Sequence, residues 1–140
     1  MSAEANKQLM QKIFAEIETG NGALFAAALA DNVVMRVTGQ YSWSRTFTGK
    51  EAVMRDLYGY VRSLVERGSR TIPLNIFADG DHVIVEARGA MTTRKGQPYD
   101  NEYCLIYRFA DGKIVEMREY CDSVLCEDRL GLFPGGASRG

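Results

Sequence analysis

Histidine, cysteine, surplus charge and long apolar runs are all scarce in this sequence, and each scarcity closes off a class of function. One histidine, His82, and three cysteines, Cys104, Cys121 and Cys126, occur in 140 residues, at spacings that match no zinc pattern, so no metal site is expected. The cysteine number is odd and the opening MSAEANKQ lacks the basic and apolar regions of a secretory signal. The thiols are therefore read as free and the protein as cytoplasmic. With 17 basic and 18 acidic residues the net charge is −1, which leaves no electrostatic footprint for nucleic acid or for an anionic membrane surface. Apolar runs such as Leu24 to Ala30 fall far below membrane-spanning length, and there are no repeats, low-complexity blocks or linkers.

What is present suits a single domain over residues 1–130, since 46% hydrophobic and 25% charged residues can build one core, with 131–140 as a flexible tail. Leu9, Ile13 and Ile17 recur at helical spacing before Gly20, Ala23 to Ala30 reads as a second short helix, and Val33 to Val37 begins a strand. Thr48-Gly49-Lys50-Glu51 fits a capping box opening a third helix that carries Val53, Leu57, Val61 and Leu64 on one stripe. Beyond Gly68 the pattern is all strand, at roughly 70–78, 82–94, 99–110 and 113–124. Helices followed by antiparallel strands predict an α+β fold with helices on one face of the sheet. Gly89 inside a long strand predicts strong bending, and a bent sheet closed by three helices forms a cone with a small-molecule pocket.

Two Asp-Gly pairs set the expected registers. Asp111-Gly112, read as a two-residue turn, pairs Arg108 with Val115, Ile106 with Met117 and Cys104 with Glu119. Glu119 then shares a face with Val115, Met117 and Cys121, where a core residue belongs. A carboxylate there either finds a partner such as Arg108 or has its pKa raised. Glu102 falls on the same face, diagonal to Glu119, and the two carboxylates are the candidate acid–base pair. Asn101, Tyr103, Tyr120 and Asp122 fall on the opposite face, which predicts a homodimer surface. Asp79-Gly80, read the same way, pairs Ile76 with Val83 and Leu74 with Val85. His82 is then a surface residue.

This element order, with ALADNVVMRV, TFTGKEAV and the ending DGKIVEMREYCD, resembles the SnoaL-like branch of the nuclear-transport-factor-2-like superfamily over roughly 5–126. The resemblance implies the cone fold and an internal pocket. It does not carry over the best-known activities. Of the Asp-Arg-Asp trio of limonene-epoxide hydrolases, the third-strand positions fall on Ala87 and Gly89 and only the last-strand position, Glu119, keeps a carboxylate. The base and tyrosine positions of ketosteroid isomerases fall near Val37 and Ile13. The resemblance also places Tyr41 and Trp43 at the pocket mouth. With Tyr60, Met117 and Asp122 they form the candidate substrate-binding set, core packing being the alternative for the aromatics. The expectation is an acid–base enzyme of isomerase, cyclase, dehydratase or hydrolase type, using no cofactor, acting on an apolar small molecule, cyclic ones included. The alternative is a non-catalytic binding or dimerisation module.

Overall fold

Helices laid in the hollow of one curled sheet make up the computed structural model, which describes residues 2–135. The Ser2 side chain accepts from the Ala5 amide at 3.1 Å and starts α1 (Ala3–Glu18), which buries Met10, Ile13 and Phe14. α2 (Ala23–Ala28) runs directly into β1 (Leu29–Val37), and β2 (Arg45–Thr48) pairs with β1. The capping box expected at Thr48 does not form. Thr48 stays in β2 opposite Val34, and Gly49 takes the cap at φ +94°, its amide donating to the Val33 carbonyl at 2.8 Å. Glu51 then falls one position too early to reach back, and pairs with Arg55 at 2.9 Å instead. The helix continues as α3 (Lys50–Ala52), a wider π-helical segment (Val53–Gly59) and α4 (Tyr60–Leu64).

β3 (Arg70–Asp79), β4 (His82–Thr92), β5 (Pro98–Tyr99), β6 (Glu102–Ala110) and β7 (Lys113–Cys121) complete the sheet. Its order is β2-β1-β7-β6-β4-β3, with β5 beside β4 and every pair antiparallel except β1 with β7. Ser123 and Val124, expected to end the last strand, instead open α5 (Ser123–Leu130). The Asp122 carboxylate accepts from the Val124 and Leu125 amides at 3.0 and 3.1 Å, a local cap that competes with strand pairing. The tail expected to be free from Gly131 docks at its start: Phe133 is buried against Trp43 and Phe47, with the Arg45 guanidinium over its ring. Residues 136–140 of that expected tail lie outside the described residues. No helix among those described is long and apolar enough to cross a membrane.

The last hairpin turns as expected, with Asp111 and Gly112 at φ 51° and 77°, and then departs from the expected register. Phe109 pairs with Ile114 but Arg108 pairs with Glu116, so Val115 is a one-residue bulge. From there Tyr107 faces Met117, Leu105 faces Glu119 and Tyr103 faces Cys121. Tyr103 thus joins the inner face, while Cys104 pairs with the exposed Tyr120. The cause lies in β7: Ile114 and Met117 are both fully buried although they stand three positions apart, and a pleat with period two cannot bury both without an extra residue. At the other hairpin the turn is Gly80-Asp81, because Asp79 pairs with His82. Ile76 therefore meets Val85, and Leu74 is bulged out and exposed. His82 lies at the surface, 2.8 Å from the Asp81 carboxylate.

Gly89 marks the point where β4 leaves β6 and takes up β5. Its amide donates to the Asn101 carbonyl at 2.8 Å, and a Cβ there would stand 3.0 Å from the Tyr99 carbonyl oxygen. Gly89→Ala is expected to cost about 1–3 kcal/mol by overpacking this crossing. Chemical denaturation checks it, and a variant as stable as the parent would show that the crossing yields freely.

Candidate functional site

Between the helices and the inner face of the sheet lies a cavity of about 310 Å³. Ile13, Phe14 and Ile17 of α1, Phe25 of α2, and Met54, Tyr58 and Val61 of the third helix form its helical wall. Met91, Tyr103, Leu105, Tyr107 and Glu119 form the sheet wall. The lining is mostly apolar with a few converging polar groups, the usual make-up of a small-molecule site. Phe25 packs edge-on against Tyr58 with ring centroids 5.6 Å apart, which holds the tyrosine over the cavity.

Glu119 is placed by the backbone on both sides. It sits on an interior strand opposite Leu105 of β6 and Val37 of β1, and its carbonyl accepts from the Thr38 amide at 3.1 Å and the Thr38 hydroxyl at 2.7 Å. Among the described residues no hydrogen bond or ion pair engages its carboxylate. The cation considered as its partner, Arg108, faces the other way and approaches Glu116 at 3.6 Å. Burial raises the Glu119 pKa to about 8, with the neighbouring Cys121 adding to the rise. The tyrosines around it are affected in turn. Burial first, and then the Glu119 charge, hold the Tyr58 and Tyr103 hydroxyls protonated well beyond their ordinary range, and burial, Tyr58 and Glu119 in that order do the same for Tyr107. The site therefore sets one carboxyl that titrates near neutrality among three phenols that do not.

A polar cluster gathers at Cys121, two residues beyond Glu119. The Tyr41 hydroxyl lies 3.4 Å from the Cys121 Sγ, and Cys121 shares a hydrogen bond with Cys126, so the pair gives up its first proton at Cys121 more readily than a lone thiol would. Asn101, fully buried, clamps the chain there. Its side-chain oxygen accepts from the Glu102 and Asp122 amides at 2.8 and 3.0 Å, and its nitrogen donates to the Asp122 carbonyl and the Tyr99 hydroxyl, both at 3.0 Å.

The sequence-based site residues disperse in the structure. Glu119 lines the cavity. Glu102 is exposed at the start of β6 opposite Arg88, because the Val115 bulge exchanges the faces of the hairpin, and so it is not beside Glu119. Tyr41 reaches the polar cluster and does not line the cavity. Trp43 and Tyr60 stack at 5.7 Å in a separate aromatic cluster with Phe133, and the Trp43 indole donates to the Gly131 carbonyl at 2.9 Å. Met117 is buried core opposite Tyr107, and Asp122 caps α5. The tyrosines that do surround Glu119 were missed. Tyr58 follows Met54 by one helical turn, a second stripe beside the one noted. Tyr103 and Tyr107 were hidden by the unbulged register.

Linkage gives the site a measurable signature. The Glu119 carboxyl ordinarily titrates at 4.5 and does so at about 8 in the fold, so between these values the folded chain holds a proton that the unfolded chain has released. Stability must then fall as pH rises through that window, and the penalty is complete above about 8. Glu119→Gln is expected to flatten this dependence and to melt higher than the parent above pH 8. Thermal melts across pH test it, and an unchanged profile would remove the buried-carboxyl account.

A family model described as a SnoaL-like domain matches residues 10–117 of the chain. Among solved structures, an NTF2-like protein of unknown function from Burkholderia pseudomallei K96243 superposes with a TM-score of 0.78 at 19% identity, covering 93% of this chain and 98% of that one. A candidate SnoaL-like polyketide cyclase from Jannaschia sp. CCS1 gives 0.73 at 17% identity, covering 90% and 91%. A protein with a ketosteroid isomerase-like fold from Catenulispora acidiphila, solved with trimethylamine, gives 0.71 at 16%, covering 89% and 92%. These identities establish a shared fold and nothing finer. No curated protein matches the chain.

Proposed function

The chain belongs to the SnoaL-like domain family, and from that premise we propose that it is an acid–base enzyme acting on an apolar carbonyl compound with its own side chains alone. One observation carries the reading: among the described residues Glu119 is the single carboxyl lining a mostly apolar cavity, and its pKa is raised to about 8. A proton-transfer group works best when its pKa lies near the working pH. At neutrality the neutral form of Glu119 can donate a proton and the minor ionised form can accept one. It would take a proton from carbon next to the carbonyl and return it elsewhere on the same molecule. That is the proton traffic of an isomerase, or of a cyclase working through an enol. Tyr58, Tyr103 and Tyr107 are the available donors to an enolate oxygen. As protonated phenols on the walls of a mostly apolar cavity they would stabilise that charge without reorganising.

Glu119→Gln keeps the shape and removes the base. It is expected to lower turnover by about 10²–10⁴-fold, the usual share of a general base. In the parent enzyme kcat/KM should rise with pH to a plateau above about 8, the base being active when ionised. Incubation with cyclic ketones in deuterium oxide reads this directly as deuterium incorporation. Exchange that persists undiminished in Glu119→Gln would end the general-base reading. Binding without exchange in the parent protein would favour the non-catalytic module. A homodimer through the outer sheet face is part of the same proposal, carried by the exposed Leu74, Phe77 and Tyr120. Sedimentation as a monomer at micromolar concentration would remove it.

A further inference from the structure

The cavity opens beside a cleft of about 690 Å³, and the two share Arg62 and Arg70 in their walls. The cleft adds Arg67 and Arg94, so four arginines face it against two glutamates, Glu18 and Glu66. In a chain whose net charge is −1 this is a local reversal of sign. Among the described residues none of these six side chains forms an ion pair with another. Arg94 is committed to the backbone, since its guanidinium donates to the Ser63 and Arg62 carbonyls at 2.9 and 3.4 Å and closes the end of α4. Arg70 makes one long contact, 3.4 Å to the Gly68 carbonyl, and among the described residues no hydrogen bond engages the Arg62 or Arg67 guanidinium. Two guanidiniums with donors to spare thus stand where an apolar cavity meets water, which is how an oxyanion on an apolar body is recognised.

We propose that the ligand of this protein is an amphipathic oxyanion, whose apolar body fills the cavity while its carboxylate or sulfate is held at the mouth by Arg62 and Arg70. The inference rests on the reading of the cavity as the ligand site and adds the substrate class. Glu119 pairs across β6 with the row of Val85, and Arg70 pairs with Ala90, five residues further along β4. That is about 17 Å of strand, less through space in a curled sheet. The anion is therefore a handle remote from the reacting atoms. Consistent with this distance, no arginine contributes to the Glu119 shift, which burial and Cys121 account for.

The test compares two fluorescent probes that differ by one charge, anilinonaphthalene sulfonate and neutral N-phenylnaphthylamine, on the whole protein. At low ionic strength the sulfonate is expected to bind about tenfold more tightly than the neutral probe, the scale of a charge-assisted contact, and to lose that margin with added salt. The double variant Arg62→Gln/Arg70→Gln should erase the margin and leave the neutral probe unchanged, whereas Arg36→Gln, at an exposed position of β1, should change neither. Decanoate and decyl sulfate should displace the neutral probe at lower concentrations than decanol, and whichever is stronger identifies the oxyanion. Equal binding of both probes, untouched by the double variant, would overturn the handle and leave the cavity reading standing. Filling the cavity with Val61→Trp separates the remaining case. Neutral-probe binding lost while sulfonate binding survives would place the anion on surface arginines and overturn the inference. Neither probe binding the parent protein would fell the cavity reading itself.

Discussion

The facing pair Leu105 and Glu119 is the constraint on which the interior depends. It exists because Val115 bulges out of β7, so that Ile114 and Met117 can both be buried and every later residue of the strand changes partner. The same shift that aims Glu119 inward turns Tyr103 and Tyr107 to the same face and sends Cys104 and Arg108 outward. A bulge costs a strand one ladder position. Here it exchanges a hairpin face of mixed polarity for one that carries two tyrosines, a leucine, a methionine and a single carboxyl.

That carboxyl works against the fold that holds it. Among the described residues its ionised form has no counterion and no hydrogen-bond partner, and the helical wall it faces is largely apolar. The surroundings are correspondingly over-determined: two strand neighbours and two hydrogen bonds from Thr38 fix the Glu119 backbone, and the buried Asn101 locks the chain ends just beyond it. A site that stores strain in one side chain and rigidity in its frame is the arrangement that proton transfer requires.

Much of the fold was legible in the sequence because it rests on local patterns. The stripe of α1, the Asp111-Gly112 turn and the bending at Gly89 are written in adjacent residues. The inward direction of Glu119 was legible too, since β7 alternates correctly from Met117 onward. What it faces was not. Cross-strand partners depend on a bulge whose only trace is the odd spacing between Ile114 and Met117, and this misassigned Glu102 as a neighbour and Tyr103 as an outer residue. Aromatic type alone could not separate Tyr58, which lines the cavity, from Tyr60, which stacks on Trp43 two positions later. Nor did composition foretell the docking of Phe133, which lies among glycines and a proline.

The π-helical segment Val53–Gly59 has its own consequence for the phase of the helix that follows. Gly59 admits the Met54 carbonyl 3.2 Å from where a Cβ would stand, five residues back, so the turn carries one residue more than an α-helix would. Each residue of an α-helix advances the side chains by roughly 100°. Winding the same residues as an ordinary α-helix, with none removed, would swing everything after the turn by that angle. Val61 would rotate off the cavity wall and Arg62 off its mouth, with no side chain altered. The widened turn is therefore the clocking element that lets one helix present apolar bulk to the interior and cationic charge to the entrance.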